Sequence, residues 1–310
     1  MSNLTTSNPG PPEIDQSVLE YVRNAISENT RRAYRSDLEH FIAWGGTIPC
    51  VPEVLATYLS DQAGAYAVST IKRRLAALTA AHEAKGCPSP TTSKLIKATL
   101  RGIQRIHGTP QSQSKPLLVE DLIKIVSGLG ESPKDLRDKA LLLVGFAGGF
   151  RRSELVAIDC NDIEWVRQGM VITIRRSKTD QTGTGRRIGI PYARGEFCPV
   201  RSLDLWILTS GMKSEGPTFR SVSKHGRISN KRLSAEAVAK IVKERVRGIG
   251  LNPARYSAHS LRAGLATSAA MKGATTISIR KQTGHRSDAM LARYVREGEL
   301  FSENAAARLF

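Results

Sequence analysis

The sequence predicts a mainly α protein with a small β-hairpin or sheet (α+β), divided into two domains. Three observations lead there. Apolar residues recur at helical spacing through residues 27–107. A polar stretch with glycine and prolines, 108–116, then breaks all periodicity. Beyond it, one pair of β-prone segments is set among further helical runs.

Taken in order, residues 1–16 are rich in Ser, Asn, Thr and Pro and read as a disordered lead-in. They lack the basic and apolar regions of a signal peptide. Ser27-Glu28-Asn29-Thr30 can cap a helix running to about Trp44. Tyr34, Leu38, Phe41 and Ile42 form its apolar stripe, with Arg31, Arg32 and Arg35 off it. Pro52 opens a second helix whose apolar face is Val54, Leu55, Tyr58 and Leu59. A third, 68–85, turns Ile71, Leu75 and Leu78 inward and is expected to turn Lys72, Arg73 and Arg74 outward; Gly86-Cys87-Pro88 stops it. A fourth, 91–107, has Ile96, Leu100 and Ile103 inside. Its Lys94, Lys97, Arg101 and Arg105 form one basic stripe with no acid in it. Like charges at that spacing repel unless a partner neutralises them, and phosphate is such a partner.

Residues 108–116 read as the interdomain linker. Helical runs follow at 119–129 and 133–147, then Gly148-Gly149-Phe150-Arg151-Arg152-Ser153-Glu154-Leu155. Segments 169–175 and 186–190 are expected to pair as a hairpin around a glycine-containing loop that carries Lys178. Helices are expected at 199–209, 234–247, 259–272, 274–283 and 287–297. The tail, 298–310, holds Leu300, Phe301, Leu309 and Phe310, apolar residues that need a docking surface.

Charge and composition narrow the function classes. Lys and Arg total 46 against 28 Asp and Glu, a net charge of +18, which points to a polyanion. No apolar run approaches the roughly 18 residues of a membrane span. Cys50, Cys87, Cys160 and Cys198 are widely spaced, so neither a zinc site nor a disulfide framework is suggested, and reduced cytosolic thiols are expected.

Two stretches carry chemistry. In the first, Arg151 and Glu154 lie three residues apart; alone they would pass for an ordinary helix ion pair. In the second, His259 and Arg262 lie at i, i+3 on one helix face. Gly284-His285 follows the next helix, and Tyr294 lies within the one after it. The four side chains His259, Arg262, His285 and Tyr294 could converge on one phosphate. The pattern H-x-x-R, G-H, Y resembles the C-terminal signature of the tyrosine recombinases, the phage-integrase family. G-F-R-R-S-E-L resembles that family's other signature, G-x-R-x-x-E-L.

The resemblance covers nearly the whole chain. It implies that 17–107 is a helical, SAM-like core-binding domain and 117–297 the catalytic domain, with the tail docking on a neighbouring protomer. It assigns Arg151, Lys178, His259, Arg262 and His285 to catalysis, Glu154 to their support, and Tyr294 to the nucleophile. Lys213 and Lys224 are poorer candidates for the lysine. It implies a double-stranded recombination site as partner, a tetramer on paired sites, an accessory DNA-bending protein in some systems, and a cytoplasmic, nucleoid-associated protein. No cofactor or metal is implied. Asp159, Asp162 and Glu164 could suggest Mg²⁺, but they are expected to shape the turn after the Arg151 helix.

The chemistry stands without the family. In-line attack on a phosphodiester builds a second negative charge on its oxygens. Two guanidinium forks match those oxygens and stay charged. A lysine could protonate the leaving 5′-oxygen. Histidines could donate to the phosphate or manage the tyrosine proton. A tyrosine nucleophile, with an ordinary pKa of about 10, leaves a 3′-phosphotyrosyl link that another 5′-hydroxyl can reseal without ATP. Rival readings are a type IB topoisomerase, a non-catalytic DNA-binding regulator with a helix-turn-helix in 274–297, and a metal-dependent nuclease or transposase.

Overall fold

The computed structural model describes residues 15, 20–21, 25–108, 114–175, 185–212, 215–285, 291–292, 294 and 309. Lys178, Lys213, nearly all of the lead-in and tail, and most of the 287–297 helix lie outside the described residues. The chain divides into two compact units, Met1–Gln111 and Ser112–Phe310. Among the described residues, no helix is long and apolar enough to cross a membrane.

In the first unit, α1 (Glu28–Ala43), α2 (Pro52–Gln62), α3 (Val68–Ala84) and α4 (Lys94–His107) surround one core. Phe41, Leu55, Tyr58, Leu59, Ile71, Leu78, Ile96 and Ile103 fill it. Ser27 and Ser93 cap α1 and α4 by accepting from the backbone N–H groups of Thr30 and Ile96. Ile42, expected in the stripe of α1, is exposed, and Asp37 is buried in its place.

That buried acid explains a correction on α3. Arg74, expected to face outward toward DNA, is only 6% exposed. It stands three residues after Ile71 and four before Leu78, on the inward face. There it donates to Gln62, lies 3.8 Å from Asp37 and covers the Tyr66 ring at 4.0 Å. Arg73 forks onto the two oxygens of Asp37 at 2.8 Å each while keeping half its side chain in solvent. A carboxylate out of water needs such partners. Lys72, Lys94, Lys97, Arg101 and Arg105 are exposed, as are Arg35 and Arg32, the latter 3.7 Å from Glu28; Arg31 is half-buried.

The second unit is built on α6 (Pro133–Ala147), which is buried from Ala140 to Phe146. Around it lie α5 (Val119–Ser127), α7 (Arg152–Ala157), α8 (Pro199–Thr209), α9 (Ala235–Gly248), α10 (His259–Met271) and α11 (Thr276–Thr283). The expected hairpin is present as β2 (Gly169–Ile174) and β3 (Arg186–Pro191), with Met170, Ile172, Ile174, Ile188 and Ile190 turned into the core. A strand not foreseen, β1 (Ile163–Val166), pairs antiparallel with β2 to make a three-stranded sheet. At four residues, with two of them solvated, it carries too little alternation to be read. The short, polar β4 (Arg220–Val222) and β5 (Ile228–Arg232) form a second, two-stranded sheet.

The residues after the linker are laid along α10. The Leu117 N–H donates to Ser260 O at 2.9 Å and the Val119 N–H to Ser268 Oγ at 3.1 Å. Gly264 permits this contact, because a Cβ there would lie 1.9 Å from the Leu117 carbonyl oxygen.

Asp159 and Asp162 make a reciprocal cap at the turn after α7 and are paired with Arg232 and Arg175 respectively. Glu164 pairs with Arg187. Among the described residues, no three His, Cys, Asp or Glu side chains come together in a metal-binding arrangement.

Candidate active site

The site gathers at three chain turns. At the first, Gly149 adopts φ +57° and lets the chain leave α6 and enter α7 with Arg151 at the N-cap. Glu154, 3% exposed, accepts the Arg151 backbone N–H at 3.0 Å and its guanidinium at 2.5 Å. The i, i+3 spacing read in the sequence is therefore a helix-start clasp. It holds Arg151 from two sides.

At the second turn, α10 begins at His259 and carries Arg262 one turn inward, 1% exposed. The Arg262 Nη1 donates to Gly149 O at 2.7 Å and to Thr283 O. This residue therefore ties the α6–α7 junction to the C-terminal end of α11. Among the described residues, its Nη2 is buried with no hydrogen-bond partner. Burial, and then Arg151, lower its pKa to about 10, so it stays cationic at neutral pH.

At the third, α11 closes on Gly284, whose φ of +67° is the left-handed cap that glycine favours. His285 follows, 6% exposed. The Thr283 hydroxyl donates to Ile279 O at 2.7 Å and so accepts from His285 Nδ1, also at 2.7 Å. That assigns the proton to Nδ1 and leaves Nε2 as a lone pair. Burial, with Arg262 next, pushes the His285 pKa down to about 3. His259 is lowered as well, by burial and then by Arg262 and Arg151. Both rings are neutral at pH 7.

Tyr294 comes into this cluster. Its hydroxyl lies 2.7 Å from His259 Nε2, and its ring centre is 5.8 Å from that of His285. The phenol ring is half-buried against the small apolar cluster of Ala266, Ala270, Ile279 and Leu291. Its oxygen thus faces the polar site while the ring body is anchored in apolar surroundings.

Six of the seven residues singled out in the sequence, Arg151, Glu154, His259, Arg262, His285 and Tyr294, belong to this one cluster; Lys178 lies outside the described residues. Sequence reading missed Arg186, which donates to Glu154 Oε2 at 3.1 Å, and Gln282, whose amide donates to Ala147 O at 2.8 Å and Gly189 O at 3.1 Å. Neither falls in a signature, and a strand-end arginine in a basic chain gives no signal.

Residues 116–299 match the model of the phage integrase family. An integrase/recombinase XerD homologue from Selenomonas ruminantium is 38% identical over 294 residues, covering 92% of this chain and 86% of that protein. The chain belongs to the phage integrase family. It is a tyrosine site-specific recombinase by that membership. A tyrosine recombinase XerC from Herpetosiphon aurantiacus is 32% identical over 156 residues, about half of each chain (46% and 48%). Among solved structures, XerH bound to a palindromic difH substrate in a post-cleavage complex matches with a TM-score of 0.66 at 20% identity, over 94% of this chain and 83% of that one. A λ integrase dimer on a COC′ core site matches with 0.62 at 18%, over 89% and 74%. These two likenesses establish the recombinase fold.

Proposed function

We propose that this tyrosine recombinase uses Tyr294 as nucleophile and Arg151, Arg262, His259, His285 and Lys178 as the groups that handle charge and protons. One observation carries the assignment: the Tyr294 oxygen lies 2.7 Å from His259 Nε2, in the cluster that holds two buried or half-buried guanidiniums. Neutral His259 accepts the phenol proton as the oxygen attacks phosphorus. The P–O5′ bond breaks, a 3′-phosphotyrosyl bond forms, and Lys178 protonates the departing 5′-oxygen. Arg151 and the free edge of Arg262 take the second negative charge of the transition state. Resealing runs these steps backward with a new 5′-hydroxyl and no outside energy source.

Double-stranded DNA is the partner, with 17–107 as the core-binding domain, 117–297 as the catalytic domain and 108–116 joining them. The exposed stripe Lys94–Lys97–Arg101–Arg105, together with Arg31, Arg32, Arg35, Lys72 and the half-open Arg73, supplies phosphate contacts. Four protomers pair two sites, as in the λ integrase tetramer on a Holliday junction, with the 298–310 tail docked on a neighbour. The reaction takes place on the cytoplasmic nucleoid, with an accessory DNA-bending protein where the site requires one.

The test is recombination between two copies of the cognate site, sought in the DNA flanking the gene. Exchange of flanking markers supports the proposal. Relaxation of plasmids that lack any site, without exchange, would move the assignment to a type IB topoisomerase.

A further inference from the structure

Arg186 stands at the start of β3, directly after the hairpin loop that carries Lys178. Both terminal nitrogens of its guanidinium bond within the protein. Nη2 donates to Glu154 Oε2 at 3.1 Å, and Nη1 donates to Gln282 O, the last-turn carbonyl of α11, at 3.1 Å. Glu154 is the residue that clasps Arg151. Gln282 is two residues before Gly284 and is itself bonded to β3 through Gly189 O. Arg186 also lies beneath Gly284: a Cβ at that position would come within 2.6 Å of its Nη1. One side chain thus touches the support of Arg151, the end of the helix that presents His285, and the root of the lysine loop.

The electrostatics require this pairing. Arg151, Arg186 and Arg262 interact with one another, and Glu154 is the carboxylate set against all three. Burial and Arg151 lower the pKa of Arg186, while Glu154 raises it. A cation would leave such a neighbourhood for water unless fixed acceptors held it. Glu154 and the partly negative C-terminus of α11 are those acceptors.

We propose that Arg186 is a positioning residue for strand cleavage. Acting through Glu154 and the end of α11, it sets where Arg151 and His285 stand relative to each other and to the base of the lysine loop. It acts through these protein contacts, one from each terminal nitrogen, rather than on DNA. The inference rests on the assignment of the catalytic residues above.

The experiment uses the full-length protein and a nicked suicide duplex bearing the cognate site, and follows single-turnover formation of the SDS-stable adduct. For Arg186→Gln and Arg186→Lys, the adduct rate should fall by about a hundredfold, the loss that a misplacement of about 1 Å brings. DNA affinity should stay within about threefold and the melting temperature close to wild type. Lys should rescue poorly, since an ammonium on a shorter fork cannot span both acceptors. The double variant Arg186→Gln with Glu154→Gln should be hardly slower than Glu154→Gln alone, because both changes break one unit. Full additivity would overturn the proposal, as would an unchanged rate in both single variants. So would a rate loss matched by an equal loss of DNA affinity. If Arg186→Gln does not fold, Arg186→Lys, which keeps the charge and most of the stem, decides alone. No adduct with the wild-type protein would instead mean that the assignment of Tyr294 is at fault.

Discussion

At Tyr294 the phenol oxygen has a ring nitrogen 2.7 Å away and two guanidinium-bearing residues in the same cluster. Tyr294→Phe removes only that oxygen, so DNA binding should persist while the cleavage rate drops by more than about a thousandfold; gel shift and adduct yield measure the two separately. His285 makes a prediction in pH. Its folded pKa, about 3, lies below the ordinary 6.5. Between those values the unfolded chain holds a proton that the folded chain refuses, so stability increases with pH across that window. The contribution is complete above about pH 6.5 and is lost progressively toward pH 3. Denaturant melts should show this acid sensitivity, and it should be weaker in His285→Gln. Most of the residues themselves were legible, because histidine, arginine and tyrosine at fixed spacings have few joint explanations. Arg186 was not, since its role depends on a strand end meeting a helix end, which no spacing records.

Among the elements, α10 is the most constrained by its neighbours. Gly264→Ala would press a methyl group into the Leu117 carbonyl at 1.9 Å, a backbone atom that cannot swing aside. A stability loss of about 3 kcal/mol or more is expected, read from denaturant unfolding. On α3, Arg74→Ala should cost about 3 kcal/mol in the helical unit through the buried Asp37, with only a minor effect on the salt dependence of DNA binding. On α4 the reverse holds. Lys97→Gln with Arg101→Gln should leave stability nearly unchanged and reduce the slope of log affinity against log salt by about 2. The contrast shows where sequence reading failed. Helical period puts Lys72 outside and Arg74 beside Ile71 and Leu78 on the inner face; its charge was read as facing solvent, because the sequence does not show the buried carboxylate on another helix that partners it. The long helices and the β2–β3 hairpin were legible from apolar period, whereas β1, β4 and β5 were too short or too polar to carry one.

For the whole molecule, basic charge and two compact units fit an enzyme that must hold a polyanion while cutting it at one phosphate. Truncation after Gly298 should spare binding and cleavage of a single site but impair pairing of two sites, measured by recombination and by sizing of the DNA complex. Normal synapsis after that truncation would end the tail-docking idea. The central claim is that a tyrosine oxygen, with fixed cations around it, becomes joined to DNA. The most direct measurement is mass spectrometry of the peptide that remains attached to a nicked suicide duplex after SDS treatment, in a reaction run in EDTA. A nucleotide-bearing peptide with the modification on Tyr294 is the predicted result. Attachment at any other residue, or loss of the adduct when EDTA is added, would contradict it.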